Sequence, residues 1–270
     1  MINFSINLFN ALLDKIILLR YKKKFKNYQS AKEYCEKHTN KSYNNEELNN
    51  FRFEKFKNNI DLIPYTFNNS LFALLESVSL FLNNNKEFPK ILDIGGMFAE
   101  NKLYLEKLFN LNFTYDVVET KNICELAKDL DHSNFYENIK KAYLNPKKHY
   151  DLIFSSGSIQ YFEKPYDIID EIFSKRADYV VFTRTNFSDD EGIYAAASFL
   201  AGHGSSEGHL KYKINSNKKI VLVPNTQIKE DKMLNIANNN NYKLLRYFNG
   251  ITGNHGNNSY TKDLIFKLQN

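Results

Sequence analysis

An aspartate stands two residues before a glycine pair in the run Ile91-Leu92-Asp93-Ile94-Gly95-Gly96-Met97-Phe98-Ala99. Glycines at a turn let the backbone approach a ligand that a Cβ would hold off. An acidic group beside such a turn suits a cationic, non-phosphorylated ligand. A dinucleotide site would instead need G-x-G-x-x-G and a pyrophosphate on a helix N-terminus, and that spacing is absent here. A second acid, Glu119, closes the run Val117-Val118-Glu119. A carboxylate at a strand end can accept from both hydroxyls of a ribose. A third run reads Ser155-Ser156-Gly157-Ser158-Ile159-Gln160-Tyr161. Its small residues leave room for a ligand, and Gln160 and Tyr161 offer polar tips at the rim. Each run also has a plainer reading: a tight strand–helix turn, a solvated glutamate, and ordinary Ser/Gly turn chemistry. The third run contains no G-x-S-x-G elbow, which excludes a serine hydrolase. Two further groups have chemistry to offer. Arg184 follows a strand pattern and can clamp an anion with its planar donors, or serve a structural ion pair. His203, His209 and His255 lie in glycine-bearing segments, and an imidazole pKa of about 6.5 suits a general base. Surface loop histidines give the same pattern.

These groups depend on elements that bring them together. Short apolar runs at 90–94, 113–118, 150–155 and 179–183 read as buried strands. Helical spacing of apolar residues marks 70–81, 101–109, 123–130 and 166–173. The strand–helix alternation over 90–185 argues for right-handed βαβ units and a parallel sheet. Asp93, Glu119 and Ser155 then fall at the carboxyl ends of consecutive strands, where open α/β sheets place ligands. Residues 186–219 break the alternation and read as an inserted lid, with Gly202, Gly204 and Gly208 flanking His203 and His209. A strand at 220–223, a helix near 229–238 and strands near 244–248 and 264–268 complete the pattern.

Composition bounds the function. The chain has 270 residues, 43% hydrophobic and 25% charged, enough for a sizeable core. Its two cysteines, Cys35 and Cys124, form no scaffold and no zinc spacing, so a metal is not expected and a reducing compartment is. A net charge of +5 is mildly basic and lacks the footprint of a dedicated nucleic-acid binder. Residues 4–19 are apolar but interrupted by Asn7, Asn10, Asp14 and Lys15. No stretch of ~18 uncharged apolar residues results, so a transmembrane helix is not expected. Positive charge follows this segment, at Arg20, Lys22, Lys23, Lys24 and Lys26, whereas a signal peptide carries it in front. Residues 4–26 thus read either as a helix packed on the body or as a weak peripheral contact with anionic lipid.

The ligand that combines a sulfonium, an amino group and a ribose without a phosphate is S-adenosylmethionine. Taken in order, the runs resemble the motifs of class I S-adenosylmethionine-dependent methyltransferases. More narrowly they resemble a bacterial family of methyltransferases from surface-polysaccharide and capsule gene clusters. That family shows LDFGG, then VVE, then SS-x-LQY followed by DPY, then DRT. The corresponding residues are Leu92 to Gly96, Val117-Val118-Glu119, Ser155 to Tyr161 with Lys164-Pro165-Tyr166, and Thr183-Arg184-Thr185. Upstream, Tyr28-Gln29-Ser30-Ala31-Lys32-Glu33 resembles Y-x-S-W-E-E-A, and Arg52-Phe53-Glu54 falls in the family's Arg-containing helix. Two departures stand out: Ala99 replaces a frequent glycine, and Thr183 replaces the Asp of DRT.

The resemblance implies a doubly wound, mostly parallel seven-stranded Rossmann-like α/β sheet. Residues 1–88 would be a helical N-terminal extension or cap, and 89–270 the methyltransferase domain with its insert at 186–219. Asp93, Gly95, Gly96, Glu119, Ser155 and Ser156 would bind S-adenosylmethionine, leaving S-adenosylhomocysteine as product. His203, His209, Gln160, Tyr161 and Arg184 would face the acceptor, a small sugar- or phosphate-bearing glycan precursor. The location implied is the cytoplasm or the inner face of its membrane. Two rivals remain: a scaffold that keeps the fold without catalysis, and a nucleic-acid methyltransferase. The N-P-P-Y type motif of base methylators is absent, because Ser155-Ser156-Gly157-Ser158 stands in its place.

Overall fold

A computed structural model describes residues 17–39, 46–65, 71–84, 89–144, 149–199, 220–249 and 259–269. Six of the seven strand runs read from the sequence assemble, together with a short strand at 134–136 that the sequence reading missed, into one seven-stranded sheet. In chain order its strands are β2 (Lys90–Ile94), β3 (Thr114–Val118), β4 (Asn134–Tyr136), β5 (Leu152–Ser156), β6 (Tyr179–Ser188), β9 (Tyr242–Asn249) and β10 (Ser259–Leu268). Their spatial order is β4-β3-β2-β5-β6-β10-β9. Neighbours from β4 to β6 pair in parallel, and β10 runs antiparallel to both β6 and β9. This is the doubly wound, mostly parallel Rossmann-like sheet expected. The order reverses between β2 and β5, so their carboxyl ends border the crevice where such sheets take ligands.

Both faces are covered, which is why the central strands read as unbroken apolar runs. Successive side chains point to opposite faces. On one face Ile91, Val117, Phe154 and Val181 pack with Leu74 and Val78 of α3 (Phe72–Asn84) and Leu105 of α4 (Glu100–Phe109). On the other face Leu92, Ile94, Val118, Ile153 and Phe182 meet α7 (Pro165–Ser174) and α8 (Glu230–Asn239) through Ile169, Phe173, Met233 and Ala237. Phe173 lies edge-on to Phe182 and Phe266, with ring centroids 5.8 and 5.1 Å away. Each such side chain, buried completely, contributes about 1.5–3 kcal/mol. Two short helices, α5 (Lys121–Leu126) and α6 (Ile139–Ala142), flank β4.

A second, three-stranded sheet was not anticipated from the sequence. It consists of β1 (Lys24–Phe25), β7 (Ile193–Phe199) and β8 (Ile220–Thr226), in the order β1-β7-β8 and fully antiparallel. The segment read as a lid from residue 186 therefore opens as the tail of β6 and continues as β7, and 200–219 lie outside the described residues. The strand expected at 220–223 extends to Thr226 and joins this smaller sheet. Helix α1 (Tyr28–Thr39) packs Cys35 on Ala195 and Leu222. Helix α2 (Glu46–Asn59) packs Leu48 on Val221 and Val223 from the alternate side chains, together with Tyr161. The N-terminal extension and the second half of the chain thus build one cap between them. Among the described residues no helix is long and apolar enough to cross a membrane, and no group of three or more His, Cys, Asp or Glu side chains could hold a metal ion.

Candidate functional site

The turn after β2 is tied down on both sides. Gly95 adopts φ +79° and its N–H donates to the Val118 carbonyl at 2.8 Å, joining the turn to β3. A Cβ on Gly95 would lie 2.4 Å from the Cβ of Ser158, so any side chain collides. The Ser158 hydroxyl donates to the Ile94 carbonyl at 2.7 Å and shares a hydrogen bond with Ser155 at 2.6 Å. The first and third sequence runs are thereby locked together. Gly96 leaves space for a carboxylate: a Cβ there would meet Cγ and Oδ2 of Asp93 at 2.5 Å. Beyond it Met97 (φ 51°) and Ala99 (φ 62°) hold left-handed backbone without being glycine. Such conformations cost about 1–2 kcal/mol per residue and persist where the surroundings over-determine them. Ala99, the departure noted in the sequence, keeps the glycine-like conformation.

Acidic groups converge on this turn. Asp93 is 1% exposed. Its Oδ2 accepts from the Tyr115 hydroxyl at 2.5 Å and from Asn101 Nδ2 at 3.1 Å. Its Oδ1 is buried and has no hydrogen-bond partner among the described residues. Burial pushes the Asp93 carboxyl up to about 7, against the pull of the Tyr115 and Asn101 bonds. Glu100, the next residue after the turn, has a buried Oε1 that is likewise unmatched among the described residues. It too is raised to about 7, by burial and then by the Asp93 charge, with Arg52 and Lys55 opposing. Glu119 is half-buried, with Oε2 accepting from Thr120 N–H at 2.8 Å and Oε1 from Met97 N–H at 3.3 Å. Burial raises its carboxyl as well, and Arg52 of α2 opposes the rise. Asp116, one strand position away from Tyr115, shows what a purely structural carboxylate looks like here: Asn134 donates to one oxygen at 2.7 Å and the Tyr150 hydroxyl to the other.

The other side of the crevice is neutral to cationic. The Thr183 hydroxyl donates to Ser156 Oγ at 2.8 Å, and Gly157 (φ 61°) donates its N–H to the Thr183 carbonyl at 2.8 Å. Arg184 is exposed, with Nη2 3.4 Å from the Ser156 carbonyl. The 3-10 turn Ile159–Tyr161 buries Gln160, whose Oε1 is unmatched among the described residues. Tyr161 packs into the cap with Leu48 and Val223, and its carbonyl accepts from the Tyr28 hydroxyl of α1 at 2.9 Å.

No known protein-family model and no curated protein matches this chain. The solved structures it resembles include methyltransferases. One is an S-adenosylmethionine-dependent methyltransferase from Clostridium acetobutylicum, with a TM-score of 0.48 at 13% identity over 81% of this chain and 99% of that one. Another is the magnesium protoporphyrin IX methyltransferase of Synechocystis with bound S-adenosylmethionine, with a TM-score of 0.43 at 13% identity over 74% and 79%. A third is an S-adenosylmethionine-dependent methyltransferase from Methanosarcina mazei, with a TM-score of 0.44 at 15% identity over 70% and 96%. Agreement this loose assigns neither a ligand nor a reaction to the present chain.

The structure gathers Asp93, Gly95, Gly96, Glu119, Ser155 and Ser156 at the carboxyl ends of three adjacent strands, with Arg184 against the Ser156 carbonyl and Gln160 and Tyr161 in the 3-10 turn that follows β5. His203, His209 and His255 lie outside the described residues. Sequence reading missed Glu100, Asn101 and Tyr115. A helix read from 101 makes Asn101 its first residue and Glu100 the residue before it, where an acid suits the helix dipole anyway. Tyr115 carried no local signal: its hydroxyl reaches Asp93 only through the β2–β3 register, in which Tyr115 pairs with Ile91 and Val117 with Asp93.

Proposed function

We propose that this protein is a methyltransferase that uses S-adenosylmethionine and acts on a small sugar- or phosphate-bearing acceptor, a surface-polysaccharide precursor, by O-methylation. The observation that carries the reading is the unmatched Oδ1 of Asp93, buried beside a side-chain-free turn with Glu100 and Glu119 close by. Three carboxylates feel two cations, Arg52 and Lys55, and burial lifts all three, so ionising the whole set is costly unless a further positive partner arrives. A cationic ligand without phosphates fits that donor set, and a dinucleotide does not. Asp93, Gly95, Gly96, Ser155 and Ser156 would hold its amino-acid end, and Glu119 its ribose. When bound, S-adenosylmethionine supplies a methyl group on a cationic sulfur and leaves as S-adenosylhomocysteine.

The chain's own contribution is position and field. In this reading 1–88 form the cap over the 89–270 domain, with β1, β7 and β8 shielding the strand ends from water. A hydroxyl acceptor needs its proton removed, and His203 or His209 is the candidate base. An acceptor that is already anionic needs no base, and Arg184 then carries the recognition. Gln160 would orient the acceptor through its unmatched carbonyl oxygen, with Tyr161 at the cap side. The protein would act in the cytoplasm, with 4–26 available for contact with the inner membrane face. Calorimetric titration with S-adenosylmethionine, S-adenosylhomocysteine and NAD tests the cofactor. A screen of sugars and sugar phosphates for methyl transfer then separates an enzyme from a catalytically silent binding protein, which would bind the cofactor and turn over nothing.

A further inference from the structure

The pairing of β6 with β10 contains a fault at a chemically loaded position. Thr185 pairs with Lys262 and Phe182 with Leu264, so Thr183 and Arg184 on β6 oppose the single Asp263 on β10. This is a β-bulge, a device that bends a strand and re-aims a side chain and that gathers beside active sites. The left-handed residue in a bulge is ordinarily glycine. Here it is Arg184, at φ 51°. Asp263 is 7% exposed and accepts the Arg184 backbone N–H at 2.7 Å through Oδ1. That bond satisfies the amide the bulge removes from the ladder and holds the residue in its unfavourable conformation. The guanidinium is laid over Gly157, where a Cβ would lie 3.1 Å from Nη2 and 3.2 Å from Nε. Its one side-chain bond is the long one to the Ser156 carbonyl; its charge is also felt by the Asp263 carboxylate, with no close ion pair among the described residues. A long cationic side chain has been put on strained backbone, over a glycine, at the edge of the crevice, with most of its donors unspent.

We propose that Arg184 is a preset clamp for an anionic group of the acceptor, a carboxylate or a phosphate ester adjoining the methylated oxygen, and that Asp263 is the positioning residue that aims it. The assignment rests on the methyltransferase reading for the meaning of "acceptor". The bulge, the strain and the unspent donors do not depend on that reading. A planar guanidinium receives either oxyanion through two parallel N–H donors. Five other non-glycine residues among those described hold positive φ, Arg176 included, but Arg184 alone of the six lies within a strand.

The test uses the full chain saturated with S-adenosylhomocysteine and labelled in its arginine side chains, with the Arg184 Nε–H signal identified by its loss in Arg184→Lys. Glucose 1-phosphate, glucuronate and glucose are titrated in turn. A saturable shift with one or both anions and none with glucose is expected; a phosphate-only or carboxylate-only response names the anion. Arg184→Gly should weaken anion binding about 10- to 100-fold while Tm stays the same or rises, because glycine fits the left-handed backbone. Asp263→Ala should weaken it too, and Asp263→Asn, which keeps an acceptor for the Arg184 N–H, should restore it. No shift with either anion, an equal shift with glucose, or a clear fall in Tm for Arg184→Gly would overturn the clamp. Failure of S-adenosylhomocysteine to bind would count against the methyltransferase reading alone, since the anion titrations can be repeated on the ligand-free protein.

Discussion

On the β2–β3 side of the crevice the charged groups are carboxylates: Asp93, Glu100 and Glu119 gather around the Gly95-Gly96 turn. On the β5–β6 side stand hydroxyls and a guanidinium: Ser155, Ser156, Thr183 and Arg184. The two sides also differ in how they are held. The acidic side is fixed partly by neighbours in sequence, with Gly96 beside Asp93 and Asn101 just past the turn, and partly by Tyr115, 22 positions on, and by Ser158, 64 positions from Ile94. The cationic side is fixed from far away, by Asp263 reaching 79 positions back to the Arg184 N–H and by a cap that pairs β1 with β7. Both sides store backbone strain, at Met97 and Ala99 on one and at Arg184 on the other. The carboxyl ends of the strands therefore carry groups of opposite charge on two sides; in the reading proposed above, one side takes a cationic donor and the other an acceptor with negative charge.

The largest effect separates the sides by turnover. If the acceptor is a hydroxyl, His203→Ala or His209→Ala should lower turnover by ~10²–10⁴ with cofactor affinity unchanged. Near-wild-type turnover in both variants, measured with an identified acceptor, would leave the anionic acceptor and Arg184 in charge of that side. Next comes the acidic side. Glu119→Ala should cost about 1.5–3 kcal/mol of cofactor binding, roughly 10- to 100-fold by calorimetry, without affecting anion binding at Arg184.

A pH effect of similar size follows from Asp93. Its carboxyl is raised to about 7 in the folded chain, above the usual carboxylate range. A raised acid binds its proton more tightly in the folded state. The stability it contributes is fully present below about pH 4 and is lost as pH rises through 7. Asp93→Asn should therefore match the parent near pH 4 and exceed it above pH 7, by roughly 1–3 kcal/mol in urea unfolding, while losing the cofactor. A variant no more stable than the parent at pH 8 would show that Asp93 is at ease in its site and would remove the main reason for expecting a cation. The smallest effect is backbone relief. Met97→Gly should change stability by no more than ~1 kcal/mol, because the gain in φ freedom is offset by lost contacts with the Phe56–Phe98 cluster.

The contrast also explains what the sequence made legible. The acidic half is written in contiguous residues, so Asp93-Ile94-Gly95-Gly96 and Val117-Val118-Glu119 could be placed on strand ends from pattern alone. The central apolar runs gave the parallel sheet for the same reason, since burial on both faces leaves an unbroken hydrophobic signal. The cap escaped because β1 is two residues long and its partner Ile193–Phe199, rich in small residues, carries little strand signal on its own. The strand read at 220–223 looked like one more strand of the main sheet, and nothing local told which sheet it would join. Asp263 escaped for a deeper reason. Its role exists only in the register of β6 against β10, and register between distant strands is not a property of either segment.

The central claim is that the acidic turn exists to receive a cation that carries no phosphate. Calorimetric titration of the full chain with S-adenosylmethionine at pH 6 and pH 8, with NAD alongside, tests it most directly. S-adenosylmethionine should bind at both, more tightly at pH 8, where Asp93 is ionised before the ligand arrives, and NAD should give no heat of binding at either. S-adenosylmethionine that fails to bind, that binds more tightly at pH 6, or that is outcompeted by NAD would contradict the account.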